Sequence, residues 1–186
     1  MTEPAKRNAT YEDILTLPEN QVGEILQGQL HTHPRPSPKH ALAYSALGHS
    51  LGPAFSGGMG GPGGWWILDE PEIHLGHDVI VPDLAGWRRE RMPELPETAW
   101  FELPPDWVCE ILSPSTARTD RAVKMPIYAR ETVPHLWLVD PDLRTLEVYR
   151  LEDDGHWLLI ETLKEDDQVR QPPFEAISFP LGVLWG

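Results

Sequence analysis

Trp107 to Leu112 (WVCEIL), apolar at every position but Glu110, reads as the most convincing buried strand of the chain, and side chains along a strand alternate between its faces with a period of two. That period places Val108, Glu110 and Leu112 on one face and Trp107, Cys109 and Ile111 on the other. Further strand-like runs cover Trp65 to Leu68, Glu72 to Leu75 and Val79 to Trp87, separated by Asp69-Glu70-Pro71 and Gly76-His77-Asp78, so a meander is expected there. His135 to Asp140 and Thr145 to Leu151 flank a turn at Pro141 and Asp142 and predict a hairpin. A turn at Asp154-Gly155 then leads to a strand over His156 to Leu163. Near the start, Glu24 to Leu30 alternates as one strand, with Gly28 marking a bulge or a turn.

Helical spacing is clearest at Leu42, Ala46, Leu47 and Leu51, which predicts a helix from Lys39 to Phe55 whose end falls near Gly52 and Pro53. Thr10 and Asp13 ahead of Ile14 and Leu15 form a capping-box pattern for a short helix that Pro18 ends. Thr119 or Asp120 suits the cap of another helix running to about Arg130, with Pro134 blocking its continuation. Pro126 lies inside that helix and predicts a kink near Met125. Gly57 to Gly64 reads as a hinge or lid loop, and Arg88 to Asp106 as an exposed connection.

Strands and helices in this order lack the strict alternation of a doubly wound sheet, which points to an α+β or mixed α/β core. No composition break divides the 186 residues, so residues 10–186 are expected to form a single domain behind a flexible tail of residues 1–9. No apolar run reaches the 18 residues of a membrane helix, and a cytoplasmic location is the expectation. Cys109 is the lone cysteine, which excludes thiolate-rich zinc sites. Lys and Arg number 15 against 29 Asp and Glu, a net of −14 that argues against tight nonspecific binding to nucleic acid. The best candidate for a basic stripe is Arg118, Arg121, Lys124 and Arg130.

Two carboxylates stand out because a charged group inside an apolar strand is costly unless it is paired, hydrogen-bonded or bound to metal. Glu110 interrupts WVCEIL, and Asp83 closes the apolar run from Val79. Taken singly, Glu110 also fits a strand-end acid capped by Arg or Lys, and Asp83 an Asx turn after Pro82. Taken together, acids on neighbouring strands suit Mg²⁺ or Mn²⁺, oxygen-seeking ions that complete their shell with water and substrate phosphate. His31, His33, His40, His74 and His77 sit in Pro/Gly-rich segments without a metal-ligand pattern and read as surface residues. The eight tryptophans read mostly as core, with Trp65, Trp66 and Trp87 candidates for stacking on a base.

Pro82-Asp83, then Glu110-Ile111-Leu112, then SPST, DRAVKMPIYAR and VPHLWLVDPDLRTLEVYR together resemble the bacterial Uma-type restriction endonuclease family, a branch of the PD-(D/E)XK nuclease superfamily. The resemblance runs from about Tyr11 to the final Leu-Trp and is most specific between Val108 and Tyr149. It implies a restriction endonuclease-like core, with a central mixed sheet flanked by helices and further antiparallel strands. It also implies Mg²⁺ or Mn²⁺ as cofactor, held by Asp83, Glu110 and the Ile111 carbonyl, and DNA as the substrate of an endonuclease. Most superfamily members carry lysine two residues after the glutamate, where this chain has Leu112. The resemblance moves that role to Lys124, which would orient the attacking water. Glu24 matches an acid that supports the site, and it also fits a surface or turn position. Arg121 and Tyr128 share a helix face with Lys124 at spacings of three and four, which makes them candidates to touch substrate phosphate, Tyr128 also fitting a core position. A homodimer, able to cut two strands, fits the same picture. The competing expectation is a catalytically silent nuclease-like module for binding or assembly, which the net charge favours.

Overall fold

The structure is a computed structural model and describes residues 8–34 and 36–186. Helix α1 (Tyr11–Leu15) opens as its capping pattern predicts: the Asp13 carboxylate accepts the N–H and the hydroxyl of Thr10 at 2.8 and 3.0 Å. Most of the expected tail lies outside the described residues, and the N–H of Ala9 donates to the Gly28 carbonyl at 2.9 Å. The run from Glu24 to Leu30 is not one strand. It turns at Gln27 and Gly28, whose φ values of 52° and 76° are those a tight hairpin demands, and joins β1 (Gln21–Leu26) to β2 (Gln29–Pro34).

Helix α2 (Pro38–Phe55), capped by Ser37, runs through Gly52 and Pro53 instead of stopping there. One proline in the last turns removes only one donor, and Ser56 N–H still reaches the Gly52 carbonyl. After the glycine loop come β3 (Trp65–Asp69), β4 (Ile73–Leu75), β5 (Asp78–Ile80), β6 (Leu84–Arg88) and β7 (Trp107–Ile111). Val79 to Trp87 therefore breaks at Val81-Pro82-Asp83, where Pro82 has no N–H to give to a ladder. Its halves β5 and β6 enter different sheets, so the expected meander does not form.

The chain next runs helically over residues 117–130 in three pieces: α3 (Ala117–Thr119), a π-helical turn (Asp120–Lys124) and α4 (Met125–Arg130). In place of a simple kink, the helix changes register just before Pro126, with Met125 N–H bonded five residues back to the Asp120 carbonyl. Strands β8 (His135–Asp140), β9 (Thr145–Leu151) and β10 (Trp157–Lys164) match the predicted hairpins within a residue. The short pair β11 (Gln168–Val169) and β12 (Phe179–Pro180) and a 3₁₀ turn at Leu181–Leu184 complete the described elements.

The six-stranded sheet has the order β10-β9-β8-β7-β6-β3, antiparallel except for the parallel pair β7 and β8. A four-stranded antiparallel sheet has the order β2-β1-β5-β4. The period of two in β7 sorts the core. Trp107, Cys109 and Ile111 pack with Leu47, Leu51 and Phe55 of α2 on one side. Val108 and Leu112 pack with Ile127 and Tyr128 of α4 and with Ile73, Leu75 and Ile80 of the smaller sheet on the other. This is the mixed α+β arrangement expected, with helices on both faces of a mixed sheet. Among the described residues no helix is long and apolar enough to cross a membrane.

Candidate active site

Glu110 and Asp83 meet because β6 and β7 pair antiparallel with Leu84 opposite Cys109. Asp83 sits one residue ahead of β6, and its Oδ2 accepts the Ile111 N–H at 2.7 Å. Glu110 is 2% exposed on the face of β7 that looks toward the 117–130 helix. Two residues of that helix reach it. Tyr128 donates its hydroxyl to Glu110 Oε1 at 2.6 Å, and Lys124 Nζ lies 3.2 Å from Oε2.

Lys124 is itself buried and surrounded by acids, with Glu24 Oε1 at 2.9 Å and Asp120 Oδ1 at 3.7 Å from Nζ. Glu24 comes from β1, and the same oxygen accepts the Val81 N–H at 2.8 Å. The π-helical turn explains how one helix presents so many groups to one point. An α-helix advances about 100° per residue, so positions four apart drift by about 40°. A single wider turn between Asp120 and Lys124 offsets that drift and keeps Asp120, Lys124 and Tyr128 on the sheet side.

Electrostatics follow from this crowding. Burial pushes the Glu110 carboxyl well up, Lys124 opposes the rise, and Asp120, Asp83 and Glu24 add to it. Asp120 is raised for the same leading reason. Burial works against the charged form of Lys124, yet Glu110, Glu24 and Asp120 outweigh it and hold the ammonium well above its usual range. Burial likewise pushes Glu24 up, but Lys124, His33 and the Val81 N–H together leave it below the usual range. Tyr128 is pushed far up by burial and by Glu110 beside it. Replacing Tyr128 with Phe removes the donor to Glu110 Oε1 and is expected to cost about 1–3 kcal/mol, the range for a buried acceptor left unpaired. Chemical denaturation would read this, and a loss under 0.5 kcal/mol would show that the hydroxyl does not hold Glu110.

A cavity of about 350 Å³ opens onto this cluster. Asp83, Glu110, Asp120 and Lys124 line it, together with His33, Ser37, His40 and the Ser113–Thr116 segment that follows β7. Four of the residues singled out from the sequence, Asp83, Glu110, Lys124 and Glu24, are thus brought together. Ile111 joins them through its backbone, since its side chain points into the α2 core. Two others lie elsewhere. Arg121 makes a two-pronged pair with Glu147 of β9 at 2.8 and 3.0 Å and does not line the cavity. Tyr128 is fully buried behind Glu110, where phosphate has no access.

His40, a surface histidine by its sequence context, instead lines the cavity with Nε2 3.2 Å from Asp83 Oδ1. Burial lowers its pKa, but Asp83 outweighs this and the net shift is upward. Asp120, a cap candidate by sequence, belongs to the cluster, and its spacing of four from Lys124 is the signal for that contact. Trp87 and Trp65 are core, and Trp66 donates its indole N–H to the Met92 carbonyl under the Arg89 guanidinium; none of the three lines the cavity. Gly57 to Gly64 does not border it either, which leaves a lid role there without support.

The Uma2 family, described as "Putative restriction endonuclease", matches residues 10–182. The chain belongs to the Uma2 family. Its structure is similar to the crystal structure of a protein from Anabaena variabilis described as "a putative nuclease belonging to DUF820", with a TM-score of 0.76 and 24% sequence identity over 95% of this chain and 97% of that one. No curated protein matches it.

Whether this Uma2 site suits a divalent cation is a question of donor chemistry. Among the described residues, no group of three or more His, Cys, Asp or Glu side chains is placed to enclose an ion, so a fully protein-ligated centre of the zinc type does not fit. Mg²⁺ and its close substitute Mn²⁺ do fit, because Mg²⁺ keeps several waters and takes only one or two carboxylates. Asp83 and Glu110 both border the cavity. With Glu24 and Asp120 they set four carboxylates against one lysine and two histidines, His33 and His40, an acid-rich set that a divalent cation offsets.

Proposed function

We propose that this chain is a Mg²⁺- or Mn²⁺-dependent endonuclease that hydrolyses DNA phosphodiester bonds with a metal-activated water. The observation that carries this reading is the convergence of Asp83, Glu110 and Lys124 on one cavity, in a chain of a restriction endonuclease-like family. Asp83, Glu110 and the Ile111 carbonyl would hold the metal. When bound, the metal would polarise a phosphate oxygen and lower the pKa of its water. Lys124 presents an ammonium 3.2 Å from Glu110, where it would orient the attacking water and offset charge growing on the phosphate. Glu24 holds that ammonium in place at 2.9 Å, and Tyr128 holds Glu110. The hydroxyls of Ser113, Ser115 and Thr116 stand at the cavity wall, where they would meet the DNA backbone.

A cavity of about 350 Å³ admits a phosphate and part of a nucleotide rather than a duplex, so one site serves one strand. Cutting both strands then calls for two copies, and a homodimer belongs to this reading. Incubating the protein with supercoiled plasmid and single-stranded DNA in Mg²⁺ or Mn²⁺ should nick or linearise the DNA, and EDTA should stop it. If neither DNA nor RNA is cut with either metal, the enzymatic reading falls. The alternative, a catalytically silent binding or assembly module, would then stand.

A further inference from the structure

We infer that His40 is a positioning residue of this site: from the first turn of α2 it clamps the Asp83 carboxylate and fixes the direction in which that group faces a divalent cation. The inference rests on the metal-dependent reading above and names a residue that reading does not use. Asp83 is held from two sides. The Ile111 N–H of β7 engages Oδ2 at 2.7 Å, and His40 Nε2 lies 3.2 Å from Oδ1. A carboxylate engaged at both oxygens cannot rotate, so its remaining lone pairs keep one orientation toward the cavity that Asp83 and His40 both line.

The support behind His40 is rigid. It sits in the first turn of an 18-residue helix capped by Ser37, and Ala43, Leu47 and Leu51 of that helix are fully buried against the six-stranded sheet. The His40 Nδ1 is buried and has no hydrogen-bond partner among the described residues, and Nε2 makes the contact with Asp83. The ring also lies beside the Ile111 carbonyl, the third group that would hold the metal. Partners that orient a metal-binding carboxylate in this way are worth roughly 10–100-fold in metal affinity.

Mn²⁺ titration calorimetry on the full chain tests the assignment, with DNA cleavage measured in parallel. Gln places its amide where Nε2 of histidine lies, whereas Asn reaches only the position of Nδ1. His40→Gln should therefore bind Mn²⁺ within a few-fold of wild type, while His40→Asn and His40→Ala should bind about 10–100-fold more weakly. A role confined to packing would not separate Gln from Asn. If the alanine variant fails to fold, the Gln and Asn pair still decides. Equal Mn²⁺ affinity for wild type and His40→Asn overturns the clamp and leaves the metal reading standing. Absence of Mn²⁺ binding to wild type overturns both.

Discussion

Asp83→Asn is expected to lower metal-dependent DNA cleavage by roughly 1,000-fold or more while the melting temperature stays within a few degrees of wild type. The two halves of that expectation have separate physical causes. A bound divalent cation supplies several kcal/mol of transition-state charge stabilisation. Losing about 4 kcal/mol of it corresponds to about three powers of ten in rate. Stability is spared because the Asn side-chain oxygen still accepts the Ile111 N–H, which Asp83 now engages at 2.7 Å. Asp83→Ala is a poorer probe, since it would leave that backbone donor unpaired at a cost of about 1–3 kcal/mol. Cleavage kinetics with Mg²⁺, run beside thermal denaturation, check both halves. Cleavage within tenfold of wild type would remove Asp83 from the metal site.

The two acids at the heart of the site were readable in the sequence because each breaks an apolar run, and the period of two in β7 assigned Glu110 to the correct face. The long-range pairing was harder to read. Val79 to Trp87 is apolar nearly throughout, and a strand buried on both faces has no alternation to reveal a break. The change of sheet at Val81-Pro82-Asp83 was therefore hidden, although Pro82 stood there as a signal. The same change of sheet lets Val81 N–H reach back to Glu24 and brings β1 to the site.

Lys124 and His40 differ in what hid them. Lys124 looks like any solvated helix lysine, because a π-helical turn has no local sequence code and only tertiary packing makes it fully buried. His40 follows a proline-rich stretch that suggested a loop, yet Ser37-Pro38 is an N-cap followed by proline at the first helical position, and that places His40 in the first turn. Arg121 went astray for the converse reason. Its spacing of three from Lys124 implied a shared face, but the wider turn between them swings it toward Glu147.

Replacing Lys124 with Met should destabilise the fold by about 3–5 kcal/mol at pH 8, the range for removing one partner from a buried ion pair. For a chain of 186 residues each kcal/mol lowers the melting temperature by roughly 2–4 °C, so a fall of roughly 6–20 °C is expected. The reason is the company Lys124 keeps. Glu24, Glu110 and Asp120 lie 2.9, 3.2 and 3.7 Å from its Nζ, all nearly inaccessible to solvent. Burial already raises Glu110 and Asp120, with Lys124 the principal opposing influence, and only the summed pull of Lys124 and its neighbours keeps Glu24 low. Without the lysine all three carboxyls move up relative to the unfolded chain. An acid with a raised folded pKa binds its proton more tightly in the native state, so its stability is greatest below the unfolded pKa and is lost as pH rises through the folded value. The deficit of Lys124→Met should therefore be largest at pH 8 and shrink toward pH 5. In wild type the lysine's own raised pKa acts with the same sign at a higher pH: its contribution is full up to its ordinary value near 10.5 and is lost as pH rises above it, outside the range compared. Thermal denaturation of both proteins at pH 5, 6.5 and 8 measures the difference. A deficit that is the same at all three values would mean that Lys124 acts in the fold through its packing, not through its charge.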